Sequence, residues 1–152
     1  MTALLDLGRR DFAPPEAPSR AHFFWEELAH LWDSNDLAAA HDWLNERWSR
    51  LIRNSVLGTR DPEAEFLQGL AFATLALFFT QNRNQEGALL MVDDALIALG
   101  KYRPRFMGVR IDPIIGTLQT LRPLIASLPA DGENPMFPFV YAKFEHDGAL
   151  PT

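Results

Sequence analysis

The chain has 152 residues, a net charge of −6 and no cysteine. That length favours one domain, and such a domain buries roughly 70% of its unfolded surface. The acidic balance argues against nucleic acid and anionic membranes as partners, since both need a positive field. The missing cysteines exclude disulfides and thiolate sites and fit a cytoplasmic location.

Residues 1–18 are proline-rich and without period, which predicts an extended N-terminal arm. Arg9-Arg10-Asp11-Phe12 has the form of an export signal, but Pro14-Pro15-Glu16 follows where an apolar stretch should begin. Ser19 is placed to cap a first helix reaching about Ser34. Asn35 is placed to cap a second helix from Asp36 to about Ser55. Asp61-Pro62 is a strong start for a third helix to about Thr80, an acceptor before a proline. Its apolar run Phe66 to Phe79 spans only ~21 Å against ~30 Å for a bilayer core, so no membrane span is expected. Asn82 and Asn84 mark a turn, a fourth helix covers Gln85 to Leu99, and Gly100 is placed to end it. Asp112-Pro113 opens a fifth helix that Pro123 should end or kink. Beyond residue 129, Phe137, Phe139 and Tyr141 alternate in a tail without a clear second strand to pair with. The expected architecture is all-α: a compact bundle of about five helices over 19–128, with extended arms at 1–18 and 129–152.

The helical faces locate the candidate site. On the second helix Leu37, His41, Leu44, Trp48 and Ile52 form one stripe at 3.6-residue spacing. His41 lies within it, Asn45 beside it, and Asp42 and Glu46 flank it. A buried imidazole needs a partner, and Gln68 on the third helix is the best candidate. The candidate polar site is therefore His41, Asp42, Asn45, Glu46, Trp48 and Gln68. A structural His41–Gln68 hydrogen bond and a ligand pocket built on the same groups are both open readings.

On the first helix, Glu27 and His30 have the Glu-x-x-His spacing of di-iron bundles, with Glu26 one turn from His30. However, the apolar stripe there is Ala21, Phe24, Leu28, Leu31 and Trp32. Glu26, His30 and Asp33 fall on the opposite side, and the chain has no second such pair. No metal and no cofactor are expected. Arg103, Arg105 and Arg110 form a basic cluster before the fifth helix, where a solvated loop or an anion site can be written. Nucleophile-elbow, phosphate-loop and zinc patterns are absent. Trp43 lies across the second helix from His41, near Arg47, while Leu90 and Ile97 lie on the outer side of the fourth helix beside Asp93 and Asp94. Trp43, Leu90 and Ile97 suggest a homo-oligomer or protein partner. Packing within the chain is the other reading for Trp43.

Three segments together resemble the domain-of-unknown-function family 309, small helical proteins of bacteria and archaea. They are Ala40-His41-Asp42-Trp43-Leu44-Asn45-Glu46-Arg47-Trp48, Gln68-Gly69-Leu70 and Gly108-Val109-Arg110-Ile111-Asp112, in order between about Asn35 and Leu121. The resemblance implies an all-helical fold and carries over no activity. Asp42 and Asn45 stand where the family pattern has glutamates, and Ala71-Phe72 follows where it often continues with a polar residue. A His–Asn pair does acid–base or metal work poorly. The leading functional expectation is a non-enzymatic binding or protein-interaction module. The alternative is an enzyme or small-ligand receptor using His41, Asp42, Glu46 and Gln68.

Overall fold

A computed structural model describes residues 16–129 and 143–147, with side chains from residue 25 onward. The chain forms α1 (Glu16–Asp33), α2 (Leu37–Asn54), α3 (Pro62–Gln81), α4 (Gln85–Gly100) and α5 (Asp112–Ala126). A two-stranded antiparallel hairpin, β1 (Arg105–Phe106) and β2 (Val109–Arg110), lies between α4 and α5. The fold is the expected five-helix all-α bundle. Phe137, Phe139 and Tyr141, and most of the expected N-terminal arm, lie outside the described residues. No helix among those described is long and apolar enough to cross a membrane.

Local chemistry explains most helix ends. Asp61 accepts a hydrogen bond from the Glu63 N–H at 2.8 Å, and Pro62 opens α3, as its sequence demands. Asn35 does a different job from the cap expected of it. It takes φ +64° and closes α1: its N–H donates to the Trp32 carbonyl and the Asp36 N–H donates to the Leu31 carbonyl. That pair of bonds is a Schellman termination, in which a residue in the left-handed region lets orphan carbonyls find donors. Arg83, at φ +61°, ends α3 the same way, and Asn84 then caps α4 through the Gly87 N–H at 2.9 Å. The two turns are tied together, because Gln81 Nε2 donates to Asn35 Oδ1 at 2.8 Å.

α1 starts three residues before the expected Ser19 cap. Pro123 does not end α5, which continues to Ala126. The carbonyl that the proline deprives of its donor belongs to Gln119, an exposed residue. Gln85 at the start of α4 donates to the Ile125 and Leu128 carbonyls at 2.8 and 3.0 Å, covering the end of α5.

α3 is the central helix, with α2 on one side and α4 on the other. It is apolar nearly all round, as a helix with neighbours on several sides must be. Its buried Thr74 and Thr80 hydroxyls donate to the Ala71 and Ala76 carbonyls of the same helix, so neither is left unsatisfied. Gly69 marks the crossing with α4. A Cβ there would lie 2.9 Å from Leu99 Cδ2 and 3.1 Å from Ala98 Cβ.

The hairpin departs from the loop expected around the three arginines. Met107 and Gly108 both have positive φ, at +53° and +81°, which is the geometry of a two-residue I′ turn. Residues 143–147 lie against β2 through a single antiparallel bridge between Val109 and His146.

Candidate functional site

The buried face of α2 is rotated from the expected stripe. Leu37, Ala40, Trp43 and Leu44 are buried, whereas His41, Trp48 and Ile52 are only half-buried. At 100° per residue the shift is roughly 60° around the helix. The cause is a second neighbour. α1 packs on the flank of α2 that α3 leaves open, and Trp25 brings its ring to 6.0 Å from Trp43. Trp43 is therefore 6% exposed, so it does not contribute to an exposed partner surface. Arg47, one turn on, lies over the Trp43 ring with its guanidinium carbon 3.8 Å from the centroid. Burial pulls the Arg47 guanidinium below its usual value, against the opposing fields of Glu27 and Glu46. Its terminal nitrogens lie 3.7 Å from Glu27 and 3.8 Å from Glu46.

The six candidate site residues do not converge. His41 sits at the rim of α2, its side chain 27% exposed, with Nδ1 3.6 Å from the Asp42 carboxylate. That separation is too long for a hydrogen bond. Asp42, Asn45 and Glu46 are exposed, and Glu46 pairs with Arg50 at 3.0 Å. Asn45, expected beside the apolar stripe, thus lies on the solvent side of the helix. Trp48 packs against the core. Gln68 is half-buried on α3, and no hydrogen bond joins it to His41 among the described residues. Rotation of α2 towards Trp43 carries the imidazole away from the α2–α3 seam where that bond was expected.

On α1, Glu26, Glu27 and His30 are exposed, and no three potential ligands cluster among the described residues. Asp33 does not share their solvated role. It reaches the C-terminal segment, accepting the Phe144 N–H at 2.9 Å. The three clustered arginines are also engaged. Arg103 donates to Asp112 at 2.7 Å, Arg110 approaches Glu145 at 3.3 Å, and Arg105 pairs with Asp147. Carboxylates of the same chain thus take the place of the anion written for the cluster from its sequence.

Sequence reasoning missed Phe144. It is 2% exposed, with its ring 5.8 Å from Trp25 and 5.2 Å from Trp32. The signal was present: a lone aromatic between Lys143 and Glu145-His146-Asp147 has little reason to be there unless it anchors the segment. An open cleft of about 470 Å³ runs beside it, lined by Ala29, Asp33, Arg110 and the segment itself.

Two further features are built across helices. Glu65 of α3 accepts from Tyr102 at 2.6 Å and from Lys101 at 2.5 Å. The Lys101 and Tyr102 hydrogen bonds hold the Glu65 carboxyl below its usual range. Burial, then the neighbouring Glu65, push the Tyr102 phenol up to about 12. Arg122 of α5 grips Asp93 of α4 with two bonds of 2.7 and 3.0 Å, which lowers the Asp93 pKa. Comparison with family models, curated proteins and solved structures found no match. On the outer face of α4, Leu90 is 58% exposed and Ile97 68% exposed.

Proposed function

We propose that this protein is a non-enzymatic interaction module whose partner meets the outer face of α4. The observation that carries this reading is the exposure of Leu90 and Ile97, two turns apart on one side of a helix whose opposite side is core. Burying a large aliphatic side chain is worth roughly 1.5–3 kcal/mol, so even two supply a useful anchor. The net charge of −6 favours a protein partner over nucleic acid. We also propose a distant kinship with domain-of-unknown-function family 309. The order of the three motifs supports it, and structural demands at Gly69 and Gly108 give two motif glycines a reason to be there.

Photocrosslinking in cells tests the interaction reading. A crosslinking residue at position 97 should capture a discrete species, a second copy or another protein, and Leu90→Asp should abolish the capture. The same residue at Gln119, exposed on α5, should not capture it. No discrete adduct at position 97 would overturn the proposal. The alternative, an enzyme or small-ligand receptor using His41, Asp42, Glu46 and Gln68, draws its support from the nearness of His41 to Asp42. His41→Ala tests it through loss of a ligand without loss of fold.

A further inference from the structure

Residues 143–147 are held as a bound peptide would be. The Arg110 N–H donates to the Glu145 carbonyl at 3.0 Å, and the Asp147 N–H donates to the Gly108 carbonyl at 2.8 Å. Val109 and His146 form the antiparallel bridge between them. This is strand addition to the free edge of β2, where main-chain bonds give affinity and side chains give selectivity. The side-chain contacts fall at fixed offsets. Phe144 fills the slot between Trp25 and Trp32, the next residue, Glu145, faces Arg110, and Asp147, three beyond the aromatic, pairs with Arg105. Asp33 of α1 fixes the register by accepting the Phe144 N–H.

We propose that β2 and α1 form a peptide-docking site, occupied in cis by residues 143–147. Its partner is an extended segment of another protein carrying an aromatic residue with carboxylates one and three positions later. The chain's own segment states that chemistry. Two arginines select the acids, an indole-lined slot selects the ring, and the β2 edge accepts any main chain. Residues 130–142 tether the cis occupant, so a competitor must exceed an intramolecular effective concentration that short tethers set in the millimolar range. The inference rests on the interaction-module reading but uses a surface separate from α4.

The test uses the full chain and a labelled peptide containing Lys-Phe-Glu-His-Asp, followed by fluorescence anisotropy. Phe144→Ala in the protein weakens the cis occupant, so the peptide should bind this variant at least tenfold more tightly than wild type. A peptide with Phe replaced by Ala, or with its Glu and Asp replaced by Gln and Asn, should lose at least tenfold. Arg110→Glu added to Phe144→Ala should abolish binding. If Phe144→Ala does not fold by circular dichroism, the double variant Glu145→Lys/Asp147→Lys weakens the hold on the segment while leaving Phe144 to fill the aromatic slot until the peptide displaces it. Peptide binding to that variant supports the proposal equally. A folded, released variant that does not bind the peptide overturns it, as does binding indifferent to the peptide's aromatic. Leu90→Asp should leave peptide binding unchanged, so failure here and failure of the α4 reading are separable.

Discussion

Substituting alanine at Gly69 and at Gly116 should move stability in opposite directions, although both glycines lie inside helices. Alanine is favoured over glycine in a helix interior by about 1 kcal/mol. At Gly116 a new Cβ meets nothing within 4 Å, so the gain stands and is about 0.5–1 kcal/mol. At Gly69 the Cβ would sit 2.9 Å from Leu99 Cδ2 and 3.1 Å from Ala98 Cβ, inside the ~3.5–4.0 Å of a comfortable carbon contact. Leu99 is fully buried, and Ala98 has no rotamer to change. Overpacking of this kind costs about 1–3 kcal/mol, which outweighs the propensity gain. Gly69→Ala should therefore lose about 1 kcal/mol, and Gly69→Val clearly more. Urea unfolding followed by helical ellipticity measures both. In thermal melts each kcal/mol should appear as about 2–4 °C. If Gly69→Ala stabilises the protein as much as Gly116→Ala does, the close α3–α4 crossing is wrong.

His41→Ala and Gln68→Ala should have additive effects within about 0.5 kcal/mol, because no hydrogen bond couples them; a double-mutant cycle with larger coupling would restore the expected core pair. In a Tyr141→Phe background, ultraviolet titration should find the Tyr102 phenol ionising near 12, and Glu65→Gln should lower that value. Because the folded value is raised, its contribution to stability is full below the ordinary value of 10.0 and disappears as pH rises towards 12, which alkaline unfolding curves would register. Asp93 has the opposite sign: its lowered pKa gives stability that is present above 3.8 and lost as pH falls below it. Arg122→Gln should flatten that acid limb, and an unchanged limb would show the clamp to be inert.

What could be read from the sequence was local. Asp61-Pro62 and Asn84 act through neighbours two or three residues away, so residue type alone announces them. Asn35 was ambiguous for the same reason. Asparagine suits both a helix cap and a left-handed terminator, and the pairing of Asp36 with Leu31 decides which. The face of α2 was legible to within one flank. Hydrophobic period gives a direction when one neighbour covers a helix, but α2 has two, and the indole of Trp25 claims Trp43. The hairpin has two residues per strand, too few to show alternation. Phe144 meets Asp33 across 111 positions, a contact that no local pattern carries. The expected His41–Gln68 hydrogen bond was missed on that same scale, since it depended on α2 presenting His41 to Gln68.

Charge pairing also bears on what could meet α4. Asp93 is engaged by Arg122, leaving Glu86, which is exposed, and half-exposed Asp94 as the carboxylates near Leu90 and Ile97. A surface with two aliphatic anchors and an acidic rim fits a partner with an apolar centre and basic edges. The two parts respond differently to perturbation. Rim charges act mainly on association rate and are screened beyond about 8 Å at physiological ionic strength. Buried aliphatics act on dissociation and do not weaken with salt. Where the species captured at position 97 is another protein with such basic edges, raising salt from 0.05 to 0.5 M should slow association several-fold and leave dissociation nearly unchanged. Ile97→Ala should speed dissociation by about tenfold, the equivalent of ~1.4 kcal/mol. If high salt abolishes the complex while Ile97→Ala leaves it intact, the acidic rim rather than the exposed aliphatic pair is the anchor, and the argument from Leu90 and Ile97 fails.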